Sequence, residues 1–342
     1  MMTVTWPARM LIACAILAAC GQAMPSRTTA LNTNAALRLP RTFSPDHAKS
    51  WVSRDAARTT KLLFISDLGT SDVDIFALPD MTLKGKLTGF REPLGECSDN
   101  HGNVWIANYL AHELVEYSHS GSRIGKIKAS YLNPSGCAVS PANGDIAIME
   151  QNGPLYAPGD VLVYASPSAR PVILRNPVQY YYFYGAYNDA GELWEDGTDA
   201  LSHSLVSKCG KSKCSTVFLS GGSIFSAGAI AWDAVSRKWV IFDQYCHESP
   251  TTSCSYPVST RGIIGTPTTY SNHLGSSPCV LIQPTLATSG DKSIVLGADN
   301  QFQCGNYYSS TVDRWNYPAG GVPTNYKGGD VIYPWGAAVS NK

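Results

Sequence analysis

Gly95-Glu96-Cys97-Ser98-Asp99-Asn100-His101-Gly102-Asn103-Val104-Trp105-Ile106 decides the fold, because it is one copy of a phrase the chain writes several times. A strand of small residues runs into a polar turn, and a strand carrying a bulky apolar residue follows. Gly136-Cys-Ala-Val-Ser140-Pro-Ala-Asn-Gly144-Asp-Ile146-Ala-Ile148 repeats it with one more residue in the turn. Gly185-Ala-Tyr187-Asn-Asp189-Ala-Gly191-Glu-Leu193-Trp194 is another copy, and so is Gly228-Ala-Ile230-Ala-Trp232-Asp233 with Lys238-Trp239-Val240-Ile241. Leu286-Ala-Thr-Ser-Gly290-Asp291-Lys-Ser-Ile294-Val295-Leu296 is a fainter fifth. With Cys97, Ala138, Tyr187, Ile230 and Thr288 as equivalents, the copies lie about 41, 49, 43 and 58 residues apart. Periods of roughly 40 to 50 residues with four strands per unit belong to propeller blades.

A second phrase follows at a steady offset. Asp74-Ile-Phe-Ala-Leu78, Glu113-Leu-Val-Glu-Tyr117, Asp160-Val-Leu-Val-Tyr164 and Thr311-Val-Asp-Arg-Trp315 each start polar and then alternate bulky residues, the period of a strand. A generic β-sandwich also alternates, but it does not demand the same ordered pair of phrases again and again. The two ends complete one another. Lys61-Leu-Leu-Phe-Ile-Ser66 matches a second strand and lacks a first, whereas Pro334-Trp-Gly336-Ala-Ala-Val-Ser340 matches the first strand Pro134-Ser-Gly136-Cys-Ala-Val-Ser140 and lacks the rest. The expected fold is all-β: a six-bladed propeller over residues 59–342, closed by the C-terminal strand pairing with the N-terminal blade, which leaves no open sheet edge.

With Asn100-His-Gly-Asn-Val-Trp105 and Gly136-Cys-Ala-Val139, the folded part resembles bacterial six-bladed propellers of the NHL-repeat type. A neighbouring family, the gluconolactonase and regucalcin-like propellers, binds one divalent cation at the channel mouth through Glu, Asn and Asp. The motifs speak for architecture and little for activity, since one propeller fold hosts enzymes, sensors and scaffolds.

Leu17-Ala18-Ala19-Cys20 follows a short apolar run after Arg9 and resembles the lipobox of bacterial lipoproteins. That resemblance implies cleavage of residues 1–19, acylation of Cys20 and anchoring to a membrane on its extracytoplasmic, periplasmic or cell-surface side. The run Met10 to Ala19 is shorter than the roughly 20 residues a bilayer span needs and has the charged start of an export signal. Residues 20–58, rich in Thr, Ala, Ser, Asn and Pro, read as a flexible tether.

The whole chain carries 26 basic and 26 acidic side chains, a neutral balance without the basic footprint that nucleic acid requires. Eight cysteines follow Cys20, and in an exported chain an even number reads as disulfides rather than zinc. Cys209 with Cys214 looks like a bridged hairpin tip and Cys246 with Cys254 closes a short loop, leaving Cys97 with Cys137 and Cys279 with Cys304; spacing alone does not prove these pairings.

Chemistry is sparse in the sequence. There is no Gly-x-Ser-x-Gly elbow. His112-Glu113-Leu-Val-Glu116 lacks the second His of a zincin and falls on an expected strand. Asp67 to Asp74 lacks the spacing of an EF-hand and reads as a hairpin turn. Hard cations need several convergent oxygens, and only Glu96 is a carboxylate where an innermost strand begins. Asn188 and Asp189 lie in a turn shared with Asp99, Asp233 and Asp291, where such side chains cap backbone. What remains is aromatic. Tyr180, Tyr182 and Tyr184, at the start of the fourth innermost strand, together with Trp335 on the closing strand, form an expected ring-lined pocket for sugars or peptide side chains. Trp105, Trp194, Trp232 and Trp239 are assigned to the core. The expectation is therefore an anchored binding or scaffolding propeller without a cofactor, holding a small molecule or an envelope protein. The alternative is a metal-dependent lactonase or hydrolase in which Glu96 and Asn188 hold a divalent cation.

Overall fold

The protein is described as a computed structural model over residues 49–128, 133–153, 157–244, 246, 253–271, 280–287, 294–300, 310–328 and 331–342. The proposed leader, Cys20, Cys279 and Cys304 lie outside the described residues. Among the described residues all sheets are antiparallel, one of five strands and five of four. Numbered along the chain, sheet 1 runs Trp51–Val52, Thr82–Leu87, Asp72–Ala77, Lys61–Asp67, Pro334–Asn341 from rim to axis. Sheet 2 holds Pro93–Ser98, Val104–Asn108, Glu113–Tyr117 and Arg123–Lys128, and sheet 3 holds Pro134–Val139, Ile146–Glu150, Val161–Tyr164 and Val172–Leu174. Sheet 4 is Tyr181–Tyr187, Leu193–Thr198, Ser204–Cys209 and Cys214–Thr216; sheet 5 is Ala227–Asp233, Lys238–Asp243, Ser253–Val258 and Thr268–Tyr270. Sheet 6 is Val280–Ala287, Ile294–Asn300, Thr311–Asn316 and Asn325–Gly328.

Each sheet is too narrow to bury both faces alone, so the apolar side chains meet those of the neighbouring sheet. Leu62, Phe64 and Ile75 pack on Val104 and Ile106 between sheets 1 and 2. Trp105 and Leu114 meet Ile148 and Leu162 between sheets 2 and 3, and Met149 and Val161 meet Tyr182 and Leu193 between sheets 3 and 4. Trp194 stacks on Trp239 at 4.7 Å between sheets 4 and 5. Val240 and Phe242 pack on Trp315 between sheets 5 and 6, and Val312 returns to Leu63, Ile65 and Phe76 of sheet 1. Sheets that touch face to face in sequence order around an axis define a β-propeller.

The two ends of the folded chain meet as their patterns imply. Pro334–Asn341 is the innermost strand of sheet 1, with Leu63 opposite Val339 and Ile65 opposite Ala337. His119, from a turn of sheet 2, fastens this strand: its Nδ1 lies 2.7 Å from Ser340 Oγ and its Nε2–H reaches the Thr59 carbonyl at 2.7 Å. The Ser340 hydroxyl also bonds the Gly102 carbonyl. Gly102 has φ +77°, and a Cβ there would collide with the Asn341 carbonyl, so only glycine fits this turn.

Two expectations need correction. The tether does not extend to Arg58, because Trp51–Val52 pairs with Gly85 and Lys86 and Ala56 is wholly buried. The exposed edge of Thr82–Leu87 offers unpaired backbone groups, and this short strand covers part of it. The alignment of the fourth copy also slips. Asp233 pairs with Lys238 at the turn where Tyr187 pairs with Leu193, so Ile230 lies three residues before the position equivalent to Tyr187.

Three disulfides are formed among the described residues. Cys97–Cys137 joins the innermost strands of sheets 2 and 3, Cys209–Cys214 closes the outer hairpin of sheet 4, and Cys246–Cys254 ties a loop of sheet 5 to its third strand. Intact-mass measurement without reductant is expected to find all eight thiols beyond Cys20 consumed; four or more free thiols would contradict that framework.

Candidate functional site

Every innermost strand starts at one end of the propeller, the near face, and ends at the opposite, far face. The near face carries a repeated irregularity. The ladder between first and second strands slips next to Asp67, after Pro93, next to Glu150, after Tyr182, after Ala227 and after Ile282. Bulges at one level re-aim the side chains that follow them.

Beside the bulges, second-strand residues hold the incoming backbone. Asp67 accepts the Ile332 and Tyr333 N–H groups, both at 2.8 Å. Asn108 accepts from Arg91 at 2.7 Å and Glu150 from Asn133 at 3.3 Å. Asp243 accepts from Phe225 and Ser226, each at 2.9 Å, and Asp196 accepts from Tyr184 at 2.9 Å. These acids and Asn108 anchor backbone, and they lie on second strands rather than at the starts of first strands, where the sequence pattern points to ligands. Their signal is an acid or amide at or within two residues of the end of the second strand, namely Asp67, Asn108, Glu150, Asp196 and Asp243, visible only once those strands are aligned.

Trp335 sits at the centre of the near face. It packs against the cluster of sheets 2 and 3 and also against that of sheets 5 and 6, so one indole spans the axis from the innermost strand of sheet 1. The Tyr184 hydroxyl is hydrogen-bonded to it, and the Tyr333 ring meets it edge-on at 5.7 Å. Burial raises the Tyr184 hydroxyl well above its ordinary range, so it remains protonated. Half-buried Phe183 joins the same cluster, with Tyr181 stacked parallel to it at 6.4 Å and Tyr180 edge-on to Tyr181 at 4.9 Å.

Tyr182 does not belong to this group. It is fully buried between sheets 3 and 4, its hydroxyl oxygen accepting the Asn176 N–H at 2.8 Å. Strict alternation puts Tyr182 and Tyr184 on one face, but the bulge after Tyr182 turns the strand between them.

Glu96 and Asn188 are likewise apart. Glu96 is buried and accepts the Ser66 hydroxyl at 2.6 Å, with Ala338 on its other side. Its pKa is raised to about 8 by burial, against the pull of those hydrogen bonds. Asn188 lies in a far-face turn, where its Oδ1 accepts the Ala190 and Glu192 N–H groups. Asp99 caps His101 and Asn103 in the same manner, and Asp233 caps Val235 and Ser236. Asp67 and Asp72 face each other on paired strands rather than in a calcium loop, and the Lys86 ammonium lies 3.2 Å from Asp74 and 3.6 Å from Asp72. Glu113 accepts from Asn108 on the strand Glu113–Tyr117, not from a helix. Glu195, Cys209 and Cys214 bring potential ligand atoms within 4.8 Å of one another, but both sulfurs are spent in a disulfide. Trp105, Trp194 and Trp239 are core residues, whereas half-buried Trp232 donates its indole N–H to Asp189 at 2.9 Å.

The class that this fold defines is the β-propeller, and comparison with solved structures agrees. The chain is similar to a component of a nidogen/laminin complex, with a TM-score of 0.58 and 11% identity over 82% of this chain and 98% of the other. It is similar to a protein of unknown function from Bacteroides caccae, with a TM-score of 0.58 and 10% identity over 83% and 100% of the two chains. A calcium-binding regucalcin from Agrobacterium tumefaciens aligns with a TM-score of 0.51 and 13% identity over 73% and 79%. No family profile and no curated protein matches the sequence. At these identities the likeness concerns the fold.

Proposed function

We propose that this chain is an extracytoplasmic six-bladed propeller of NHL-like type, tethered through a lipid on Cys20, that binds a small organic ligand or a partner's side chain at its near face. The observation that carries this reading is the aromatic group around Trp335. Tyr184, Tyr333 and Phe183 surround an indole that spans the axis, and Tyr180 and Tyr181 extend the ring surface outward. Flat apolar rings with hydroxyl rims suit sugars and apolar side chains. Serving as a subunit of an envelope complex is the partner-binding form of the same reading. A lactonase or hydrolase draws no support from Glu96 and Asn188, each committed to other contacts.

A ligand that binds only the native state raises its melting temperature. The expected result is a rise of roughly 5 °C at saturation with one member of a panel of sugars, lactones and cell-wall fragments, lost in Trp335→Ala. A shift produced by calcium or zinc and reversed by EDTA would overturn the organic-ligand reading in favour of the hydrolase.

A further inference from the structure

Away from the near face, a cluster between sheets 3 and 4 joins a disulfide to a buried acid. Cys209 and Cys214 bridge the outer hairpin of sheet 4, and a carboxyl oxygen of Glu195 and both sulfurs lie within 4.8 Å of one another. Strand pairing puts them there. Leu193 lies opposite Cys209 and Glu195 opposite Ser207, so Glu195 shares a sheet face with the bridge. Glu195 is wholly buried. Its Oε2 accepts the Gln179 amide N–H at 2.7 Å, whereas Oε1 has no hydrogen-bond partner among the described residues. Burial, with Asp196 adding a like charge, holds this carboxyl well above the usual carboxylate range, so it carries a proton beside the sulfurs.

The bridge adds little to the fold. It joins residues only 5 apart in sequence, and a short closed loop gains least from cross-linking. The hairpin is already held by the pairs Ser207 with Thr216 and Lys208 with Ser215, by the Gly210 N–H to the Lys213 carbonyl at 2.9 Å, and by the Cys214 N–H to the Arg175 carbonyl at 3.0 Å. Those bonds keep the two thiols facing each other when the bridge is open. We propose that Cys209–Cys214 is a redox-active disulfide that exchanges electrons with a dithiol, Glu195 delivering the proton to the sulfur that leaves. The exposed tip from Gly210 to Lys213 carries Lys211 and Lys213, which attract an anionic thiolate. That thiolate bonds to Cys209 Sγ, because Cys209 is 8% exposed and Cys214 0%. The S–S bond breaks, its electron pair goes to Cys214 Sγ, and this sulfur takes the Glu195 proton. The negative charge then rests on a carboxylate that Gln179 and Ser207 hold by hydrogen bonds, rather than on a bare buried sulfur. The donor's second thiolate attacks the donor sulfur of the mixed disulfide and expels Cys209 as a thiolate, which water protonates. Solvent returns the proton of Glu195. The donor dithiol is thereby oxidised to a disulfide by two electrons and the bridge reduced to two thiols. The inference is independent of whether Trp335 binds anything.

The test treats the folded full chain with dithiothreitol at neutral pH, alkylates the new thiols and locates them by mass spectrometry. Cys209–Cys214 is expected to open roughly tenfold or more faster than Cys97–Cys137 and Cys246–Cys254, with the thermal transition of the chain retained. Glu195→Gln is expected to slow that opening roughly tenfold or more. Per attacking thiolate, the rate is expected to decline toward alkaline pH in the wild type, as Glu195 loses its proton, and to stay level in the variant. The double variant C209A/C214A is expected to melt within roughly 5 °C of the wild type. Opening no faster than at the other two bridges, or only with global unfolding in urea, would overturn the inference, and so would a double variant that fails to fold. An unchanged rate in Glu195→Gln would overturn proton delivery by that carboxyl. If this variant does not fold, a level wild-type profile would overturn it instead.

Discussion

Deleting Pro334 to Lys342 is expected to abolish cooperative unfolding, leaving a species without a sharp thermal transition. The strand carries Ala337, Ala338 and Val339 into the core and covers the backbone edge of Lys61–Asp67. On that edge Leu62, Leu63, Phe64 and Ile65 are wholly buried. Burying one aliphatic side chain of this size stabilises by roughly 1.5 to 3 kcal/mol, against a total stability of about 5 to 15 kcal/mol for a domain. Loss of several such groups together with a complete ladder exceeds that reserve. A smaller companion change separates closure from general fragility. His119→Ala removes only the clamp on Ser340 and Thr59 and is expected to lower the melting temperature by roughly 2 to 6 °C while leaving the transition sharp. A truncated chain that melts like the wild type would refute closure of the ring by this strand.

Between mildly acidic and alkaline pH, the melting temperature is expected to fall as pH rises, and Glu96→Gln is expected to remove one distinct part of that slope, the rest coming from other buried carboxyls such as Glu150 and Glu195. Burial raises the Glu96 carboxyl from 4.5 to about 8, so the folded chain holds this proton more tightly than the unfolded chain. The stabilisation is therefore fully present below 4.5 and is lost as pH rises through about 8. A shift of this size is worth on the order of 5 kcal/mol once the group is forced to ionise. Asp74 and Asp196, each raised to about 7 by burial, act with the same sign. His119 acts oppositely. Burial lowers its pKa below 6.5, so its contribution is complete above that value and lost on acidification. Maximal stability is thus expected at mildly acidic pH. Gln at position 96 still accepts the Ser66 hydroxyl but has no proton to lose, so the variant should gain several degrees at alkaline pH, roughly as 1 kcal/mol moves a domain of this size by 2 to 4 °C. An unchanged alkaline slope in the variant would show that Glu96 ionises without cost.

The repeat itself was legible because each phrase is local. Small residues, a capped turn at Asp99 or Asn188 and a bulky second strand need only nearest neighbours to be recognised. The matching ends at Lys61 and Pro334 were legible for the same reason, each being half of a phrase written whole elsewhere. The candidate site was less so. Of the tyrosines expected at the mouth, Tyr184 joins Trp335 and Tyr182 does not, because a bulge breaks the alternation that pattern reading assumes. Glu96 reads as a potential ligand in a linear chain, yet neighbouring sheets bury it against Ser66 and Ala338.

Residue order alone determined the strand period, the turn chemistry and the even number of cysteines beyond Cys20, of which six pair among the described residues. Tertiary structure decided which side chains face one another across the axis and which carboxyls lose their water. Those properties depend on groups far apart in the chain, such as Trp335 with Tyr184 or Glu96 with Ser66. Desolvation and charge density arise from what surrounds a group in three dimensions, and that information is absent from any local stretch of sequence.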